Sequence, residues 1–274
     1  MKFGVLHPGA MGASVGAALI AAGHEVLWAS EGRGEASRER AASWRDAGSV
    51  SAVVAEADHI ISVCPPDAAL DVAEQVVSEG LRGRFLDANA VAPATARQIA
   101  GLLGPAYVDG GIVGPPAWQP GSTRLFLSGA AANEAAGWFA GSMLEAVVLD
   151  GDAVAASGLK MCYAAYTKGS SALLIAVRAL ADALGVGSAL EAEWRTSQPA
   201  LEQRLPATVR GVAPKAWRFE GEMREIAATF EGERLPDGFH LAAAELYGAL
   251  DQFKDQPDVD VASVLAALKV GTRT

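Results

Sequence analysis

The sequence is poor in cysteine, and this scarcity limits the kinds of protein it can encode. Cys64 and Cys162 are the only two cysteines, which is too few for a disulfide framework, and their separation does not fit a zinc site. Such a composition is typical of a reducing compartment. We therefore expect a cytoplasmic protein without a metal site.

Positive charge and long apolar runs are also scarce. The formal net charge is −10, which argues against nucleic acid or an anionic membrane as a partner. The most hydrophobic later stretch, residues 172–190, contains Arg178 and Asp182. Placing these charges in a bilayer would cost considerable free energy, so we do not expect this stretch to span one. The N-terminal stretch is broken by His7, Pro8 and several glycines, unlike a signal peptide. These absences leave a small molecule as the expected partner.

The remaining features are organised around residues 1–16, which read MKFGVLHPGAMGASVG. An apolar run fit for a buried strand is followed by a glycine-bearing turn and then by small helix formers. A helix that begins there offers unpaired N–H groups and the positive end of its dipole, so a pyrophosphate can lie where the glycines let the backbone approach closely. We therefore expect a dinucleotide, held by His7, Pro8, Gly9, Ala10, Met11 and Gly12.

The glycine pattern departs from the dinucleotide fingerprint G-x-G-x-x-G at one place. His7 stands where the first glycine belongs, whereas Gly9, Gly12 and Gly16 occupy the remaining small positions. His7 must then make the turn without a positive φ. A purely structural turn is the alternative, but the position between a strand and a helix favours the nucleotide.

The end of the next strand, predicted over residues 25–29, decides which dinucleotide is bound. An acidic residue there would bind the ribose hydroxyls of NAD, but this chain has Ser30, followed closely by Arg33. Hydroxyl and guanidinium groups suit the 2′-phosphate of NADP, so we predict NADP. NAD is the alternative, because Glu31 could serve the ribose and the arginines could form a solvated helix face.

The rest of the chain divides into an alternating part and a helical part. At 274 residues two domains are the default expectation, and we place them at 1–150 and 151–274. Alternating strands and helices predict a mainly parallel, doubly wound Rossmann-type sheet in the first domain.

The later strands of this sheet are expected at 59–63, 85–88, 107–112, 125–128 and 146–149. Helices expected at 152–184, 215–230, 238–254 and 259–268 make the second domain all-α.

Ligands of doubly wound sheets lie beyond the carboxyl ends of the strands. The loops at residues 64–66, 89–91 and 113–116 follow such ends and should border the nicotinamide. We therefore add three residues to the expected cofactor site, namely Cys64, Pro65 and Asn89.

The helix predicted over residues 152–184 is unusually long and carries a polar stripe on one face. The stripe contains Lys160, Tyr163, Thr167, Ser170 and Ser171. Its hydroxyl groups can simply face water. Lys160 differs because its neighbours Leu159, Met161 and Cys162 are apolar, and such surroundings can lower the pKa of a lysine enough for it to act as a general base.

Three segments resemble the β-hydroxyacid dehydrogenase superfamily, which includes 3-hydroxyisobutyrate dehydrogenase, 6-phosphogluconate dehydrogenase and, more distantly, imine reductases. HPGAMG is similar to its GLGxMG motif, YVDGGIVGPP to DAPVSGG, and ASGLKMCYAAYTKG to the G-x-x-x-K-x-x-N catalytic stretch. LHPGAMG, LKMCYAAYTKG and LPDGFHLAAAELY resemble more closely a 6-phosphogluconate-dehydrogenase-like subgroup with a C-terminal domain of unassigned function. The resemblance implies a homodimer and assigns to Lys160 the catalytic lysine that takes the hydroxyl proton while hydride passes to the nicotinamide.

The chain departs from the family at the substrate-binding positions. Tyr163 and Ala164 stand where the family has asparagine, residues 113–115 replace Ser-Gly-Gly, and residues 89–90 replace Ser-Thr. The later Lys-Asp pair has no clear counterpart, with Glu220 or Glu222 falling nearby. We therefore expect an unusual substrate.

Two residues could complete the altered site. Tyr163 lies one turn beyond Lys160, and His240 lies near the start of a later helix; both can donate hydrogen bonds or protons. The structural alternatives are a packed aromatic residue for Tyr163 and an ordinary helix-start residue near Asp237 for His240.

The predicted function is reversible oxidation of a small hydroxy compound by an NAD(P)-dependent oxidoreductase. Lys160 would accept or give the proton, and Asn89 and Tyr163 would orient the substrate. One alternative is an imine reductase, although members of that family usually place aspartate or tyrosine at the position of Lys160. The other is a non-catalytic nicotinamide-nucleotide sensor, which turnover would distinguish from either enzyme.

Overall fold

The computed structural model describes residues 1–270. The chain forms two compact units, Met1–Met161 and Cys162–Thr274. The point of division lies inside a long helix, Ala155–Ala183. The domain boundary predicted after residue 150 falls in the loop just before that helix, and it stays a prediction.

The first unit is built on one eight-stranded sheet with the order β3-β2-β1-β4-β5-β6-β7-β8. Neighbouring strands run parallel except β6 and β7, which are antiparallel. The strands are β1 Lys2–Val5, β2 Glu25–Trp28, β3 Arg45–Asp46, β4 His59–Ser62, β5 Phe85–Asp87, β6 Tyr107–Val113, β7 Arg124–Ser128 and β8 Glu145–Val148. The order confirms the predicted doubly wound, mainly parallel sheet. Strand β3 was not predicted, because its two residues are exposed and carry no apolar pattern.

Helices cover both faces of this sheet, and that explains its continuous apolar strands. Along β2, Val26 and Trp28 belong to one buried cluster while Leu27 belongs to another. Successive side chains of a strand point to opposite faces, so both faces contribute to a core. The helices of this unit that precede the long one are α1 Ala10–Ala21, α2 Glu35–Arg40, α3 Val50–Glu56, α4 Ala69–Ser78, α5 Pro93–Leu103 and α6 Ala132–Gly137.

Helix α1 begins at Ala10, directly after the turn at residues 7–9. Two of its glycines are required by close packing. A Cβ atom at Gly12 would overlap the carbonyl oxygen of His7, and one at Gly16 would overlap the ring of Trp44. Gly12 therefore allows the helix to pack closely against the residue that follows β1, and Gly16 allows it to pack against Trp44 in the core.

The second unit contains helices and no strand within residues 162–270, which confirms the predicted all-α domain. Its helices are the main part of α7 Ala155–Ala183, α8 Gly187–Ser197, α9 Pro199–Val212, α10 Ala216–Gly232, α11 Gly238–Gly248 and α12 Val261–Val270. The sequence did not predict α8 or α9, and the two prolines of this stretch, Pro199 and Pro206, both lie in α9. Pro199 stands in the first turn of α9, where the ring costs little, and Pro206 lies inside the helix.

The core of the second unit contains a buried tyrosine of α11 that is hydrogen-bonded to α7. Tyr247 is fully buried, and its hydroxyl donates to the backbone oxygen of Lys168 at 2.7 Å. The Lys168 ammonium lies 2.7 Å from the carboxylate of Glu222, so α7 is tied to both α10 and α11. None of the helices within residues 1–270 combines the length and apolar character needed to cross a bilayer.

Candidate dinucleotide and catalytic site

The strand order of the first unit reverses between β1 and β4. In open parallel sheets, ligands bind outside the carboxyl ends of the strands at such a point. The turn that starts at His7 follows β1, and the loop that starts with Val63 and Cys64 follows β4. The topology therefore brings together the two segments that the sequence assigned to the cofactor.

The turn after β1 leaves the N-terminus of α1 open. Gly9 is the N-cap residue, with φ −66° and ψ −177°, and no side chain caps the helix or places an acid in its first turn. A Cβ atom at Gly9 would meet no atom within 4 Å, so open space lies beside the backbone there. The first N–H groups of an α-helix have no partner within the helix, so this end suits a phosphate.

His7 makes its turn without a positive φ, as predicted. Its ring is held by a residue far along the chain: Arg33 Nη2 lies 2.9 Å from His7 Nε2. Burial, and then the charge of Arg33, lower the pKa of His7 to about 4. The imidazole is therefore neutral at physiological pH.

Two polar atoms beside this turn are buried without a partner. Within the described part of the chain, neither His7 Nδ1 nor Arg33 Nε has a hydrogen-bond partner. Burying such atoms is costly unless another group pairs with them. Together with the open space at Gly9, they fit a polar, phosphate-bearing ligand such as a dinucleotide.

The loop after β2 is held by Arg38, on α2. Its guanidinium donates to the backbone oxygens of Ser30, at 2.9 Å, and of Arg33, at 3.2 Å. Arg38 therefore does more than form a solvated helix face. It adds a second positive charge to the loop that carries Ser30 and Arg33.

Asp46 is a neighbour of this loop that the sequence interpretation missed. Hydrogen bonds from the Ser30 hydroxyl and from the backbone of Gly48 hold the pKa of the Asp46 carboxyl below its usual range. The residue lies on β3, whose pairing with β2 sets Asp46 opposite Trp28. Only the pairing of β3 with β2 shows that Asp46 lies beside this loop, because no local sequence pattern marks β3 as a strand.

Asn89 ties the end of β5 to the end of β4. Its side-chain oxygen accepts from the backbone N–H of Cys64 at 2.6 Å, and its side-chain nitrogen donates to the Ser62 hydroxyl at 3.0 Å. Asn89 is only 2% exposed. It shapes the loop that contains Cys64, whose thiol has its pKa raised to about 11 by burial. The expected role of Asn89 toward a substrate stays a prediction.

Two buried carboxyl groups lie side by side beneath these loops, and the sequence interpretation named neither as a site residue. Asp87 and Asp109 are register partners on β5 and β6. Burial, with the nearby charge of Asp109, raises the pKa of Asp87 to about 7. Asp109 accepts four hydrogen bonds, from Tyr107 Oη, Ser128 Oγ, Ser157 N and Ser157 Oγ.

These bonds fasten the start of α7 to the sheet. Ser128 Oγ, which donates to Asp109, accepts from Ala156 N at 3.0 Å. A Cβ atom at Gly111 would lie 2.6 Å from the carbonyl oxygen of Ala156, so this glycine is needed for the close approach of the helix to β6.

Lys160 lies one turn further along α7, on the same side as this anchor. Its Nζ donates to the backbone oxygen of Ile112 at 2.8 Å. The amino nitrogen of Lys160 is thus held beside the last residues of β6, next to the loop at 113–116. Met161 is buried, whereas Cys162 is exposed, so the expected apolar surroundings are only partly present.

Tyr163 and His240 belong to the second unit. The Tyr163 side chain is 49% exposed. His240 is buried against Phe230 and Phe239, with ring centroids 4.4 and 5.2 Å away, and burial lowers its pKa. Their predicted catalytic roles stay predictions.

The hydroxyl groups further along the polar stripe bond to their own helix. Thr167 donates to the backbone oxygen of Tyr163, and both Ser170 and Ser171 donate to that of Thr167. The helix itself therefore accounts for these polar residues.

The fold and this site define a dinucleotide-binding protein of the Rossmann type with a helical C-terminal domain. Residues 2–86 match the family described as NADP oxidoreductase, coenzyme F420-dependent, and residues 181–250 match a domain of unknown function, DUF1932. No curated protein matches the sequence. The two models therefore match an NADP-binding domain and a C-terminal domain of unassigned function, the combination that the motifs predicted.

Solved structures share the fold over nearly the whole chain. A conserved protein of unknown function, itself described as similar to 3-hydroxyacid dehydrogenases, is 24% identical with a TM-score of 0.65, covering 94% of this chain and 100% of that one. The Mycobacterium tuberculosis 3-hydroxyisobutyrate dehydrogenase with L-serine is 19% identical with a TM-score of 0.68, covering 98% and 99%. The Aspergillus terreus reductive aminase with NADPH and ethyl levulinate is 19% identical with a TM-score of 0.55, covering 97% and 99%.

Proposed function

We propose that this chain is an NAD(P)-dependent oxidoreductase that transfers a hydride between a nicotinamide nucleotide and a small hydroxy compound. The observation that carries the proposal is the position of Lys160. Its Nζ is held 2.8 Å from the Ile112 oxygen, at the carboxyl end of β6, in the unit that also carries the open dinucleotide turn. The named activities of the 3-hydroxyisobutyrate dehydrogenase and the reductive aminase support the same class of chemistry.

Each group has one task in this reaction. A bound nicotinamide would supply the acceptor for the hydride of the carbon that bears the hydroxyl. Lys160 Nζ takes the hydroxyl proton, so the product is a carbonyl compound, and both steps reverse for reduction. Asn89 holds the β4 loop and orients the substrate, and Tyr163 stays a separate candidate for the same role. His240 is the second candidate for a proton donor.

A screen for turnover tests the proposal. Small hydroxy acids and cyclic imines are offered with the oxidised or reduced nucleotide, and the change in nucleotide absorbance is followed. We expect oxidation of at least one hydroxy acid. Turnover of cyclic imines alone would favour an imine reductase, and nucleotide binding without any turnover would indicate a sensor.

For the cofactor we propose NADP. Arg33 and Arg38 bring two positive charges to the loop after β2, and Ser30 stands where an acid would favour NAD. The Asp46 carboxylate opposes this preference from β3. We infer that the two guanidinium groups outweigh it, because a phosphate dianion pairs strongly with arginine.

We expect calorimetric titration to give tighter binding of NADPH than of NADH. Arg33→Ala should weaken NADPH about 10- to 100-fold, the usual size of a lost charged hydrogen bond, and should leave NADH nearly unchanged. Arg224→Ala removes an exposed arginine of the second unit, paired with Glu220, and serves as the control. Equal affinities, or a preference for NADH that Arg33→Ala does not alter, would contradict the choice of NADP.

We also propose a homodimer that forms through α7. Three large side chains of this helix, and that of the residue directly after it, are at least half exposed. These residues, which we term the α7 stripe, are Tyr166, Leu173, Leu180 and Leu184. Their spacing of seven, seven and four residues is typical of a helix seam that packs against another helix. A second copy can cover the stripe with its own, since a two-fold interface uses the same surface on both subunits.

Light scattering after gel filtration checks this interface. The wild-type chain should elute as a dimer at micromolar concentration, and Leu180→Glu should convert it to a folded monomer, because the charge would be buried in the seam without a partner. Leu102→Glu places the same charge on an exposed leucine of α5 and should leave the dimer intact. A monomeric wild type, or a dimeric Leu180→Glu variant, would refute the proposed interface.

A further inference from the structure

His7 occupies the place of a glycine in the dinucleotide turn, and its ring contacts a residue of the next loop. Arg33 Nη2 lies 2.9 Å from His7 Nε2 across 26 residues of sequence. Arginine can only donate hydrogen bonds, so Nε2 accepts and Nδ1 carries the proton. The contact therefore joins the loop after β1 to the loop after β2, between which the adenosine end of a dinucleotide lies in this fold.

We propose that His7 is a positioning residue for Arg33, holding its guanidinium toward the 2′-phosphate and so setting the preference for NADP. The inference rests on the proposed function, since it requires a dinucleotide in this turn. His7 acts through Arg33 and need not touch the phosphate itself.

The backbone of Arg33 is held by hydrogen bonds within its loop. Only the conformation of its side chain then depends on the residue at position 7. The backbone N–H of Arg33 donates to the Ser30 oxygen at 3.2 Å, and the Arg33 oxygen accepts from Arg38 Nε at 3.2 Å. A free arginine side chain has many rotamers, and ordering it on binding is costly. An acceptor at position 7 orders the guanidinium beforehand.

The imidazole suits this task because it stays neutral. Burial and the Arg33 charge lower the pKa of His7 to about 4, so Nε2 keeps its lone pair for the guanidinium. The contact with His7 uses one N–H of the guanidinium, which carries five, so further donors remain. A phosphate oxygen could therefore bind Arg33 without breaking its contact with His7.

Titrations of the intact chain with NADPH and NADH test the inference. His7→Gly restores the fingerprint glycine and should weaken NADPH roughly tenfold, the size of one lost hydrogen bond to a charged group, while leaving NADH within about twofold. His7→Gln supplies an amide oxygen as acceptor and should recover most of the NADPH affinity. Competition by 2′,5′-ADP, with ADP as the matched control, should show the same pattern without the nicotinamide.

A double-mutant cycle separates positioning from a general effect on the fold. In the Arg33→Ala background, His7→Gly should no longer change the ratio of the NADPH and NADH dissociation constants. Equal loss of both nucleotides in His7→Gly and His7→Gln, or an unchanged NADPH preference in His7→Gly, would overturn the inference alone. Failure of the wild-type chain to bind either nucleotide would overturn the proposed function, and binding without an NADPH preference would overturn both the inference and the choice of NADP.

Discussion

Replacing Lys160 by alanine should lower the turnover number about a hundred- to ten-thousand-fold, because general acid–base catalysis contributes a factor of that size. The nucleotide dissociation constant should stay nearly unchanged, since Lys160 bonds to the Ile112 backbone and lies outside the turn after β1. Lys215→Ala, at an exposed lysine of the second unit, is the matched control and should retain wild-type turnover. The measurement is steady-state kinetics on a hydroxy acid found in the screen.

Lys160→Arg separates proton transfer from simple attraction of an anionic substrate. Arginine keeps the positive charge but does not release its proton at ordinary pH, so it should rescue little of the lost turnover. If Lys160→Arg kept most of the wild-type rate, Lys160 would act as an electrostatic anchor. The proton donor would then have to be sought at Tyr163 or His240.

Replacing Asp87 by asparagine should stabilise the protein at pH 8. Burial raises the pKa of Asp87 to about 7 from an ordinary value of 3.8. The folded state therefore binds the proton more tightly than the unfolded state does. The stability that this proton contributes is fully present below pH 3.8 and is lost as the pH rises through 7.

Asparagine removes this dependence because it carries no charge and keeps an oxygen for the backbone N–H of Asn89. At pH 8 the free energy of unfolding should rise by about 2–4 kcal/mol, the order of magnitude of a shift of three pKa units. At pH 4 the gain should vanish. Urea denaturation at the two pH values checks both statements.

His7 changes the stability in the opposite direction, because its pKa is lowered on folding and its contribution is lost as the pH falls. This contribution is common to the wild type and the Asp87→Asn variant, so it cancels in the comparison.

Asp109→Asn is the matched control on the neighbouring strand and should have the opposite effect. Asp109 accepts four hydrogen bonds, and an amide nitrogen in place of either oxygen would face donors from Ser157 or Ser128. We expect a loss of stability at pH 8. If Asp87→Asn were as destabilising there as Asp109→Asn, Asp87 would have to be ionised and paired in the folded protein.

The sequence by itself determined the first unit's parallel sheet, the turn at His7 and the class of protein. These features depend on local patterns. The apolar runs that become β1, β4, β5 and β6 are buried on both faces, and such strands are recognisable without knowledge of their partners. The glycine pattern and the lysine motif are likewise short and continuous.

Local patterns misjudged two kinds of element. Strand β3 has only two residues, both exposed, and it exists because β2 offers an edge to pair with. Helix α9 contains two prolines, Pro199 and Pro206, and its packing within the second unit outweighs that local bias. In both cases tertiary contacts decided the outcome.

Only the tertiary structure decided which polar groups meet. Arg33 reaches His7 across 26 residues, and Asp109 reaches Ser157 across 48. Strand order decides which loops lie side by side. Register decides which face of the sheet Asp109 points to, since a shift of one residue would turn that side chain to the other face. The sequence therefore predicted Lys160 and the dinucleotide turn as site residues, while the fold alone showed that the Asp109 carboxylate anchors α7 and that the His7 ring contacts Arg33.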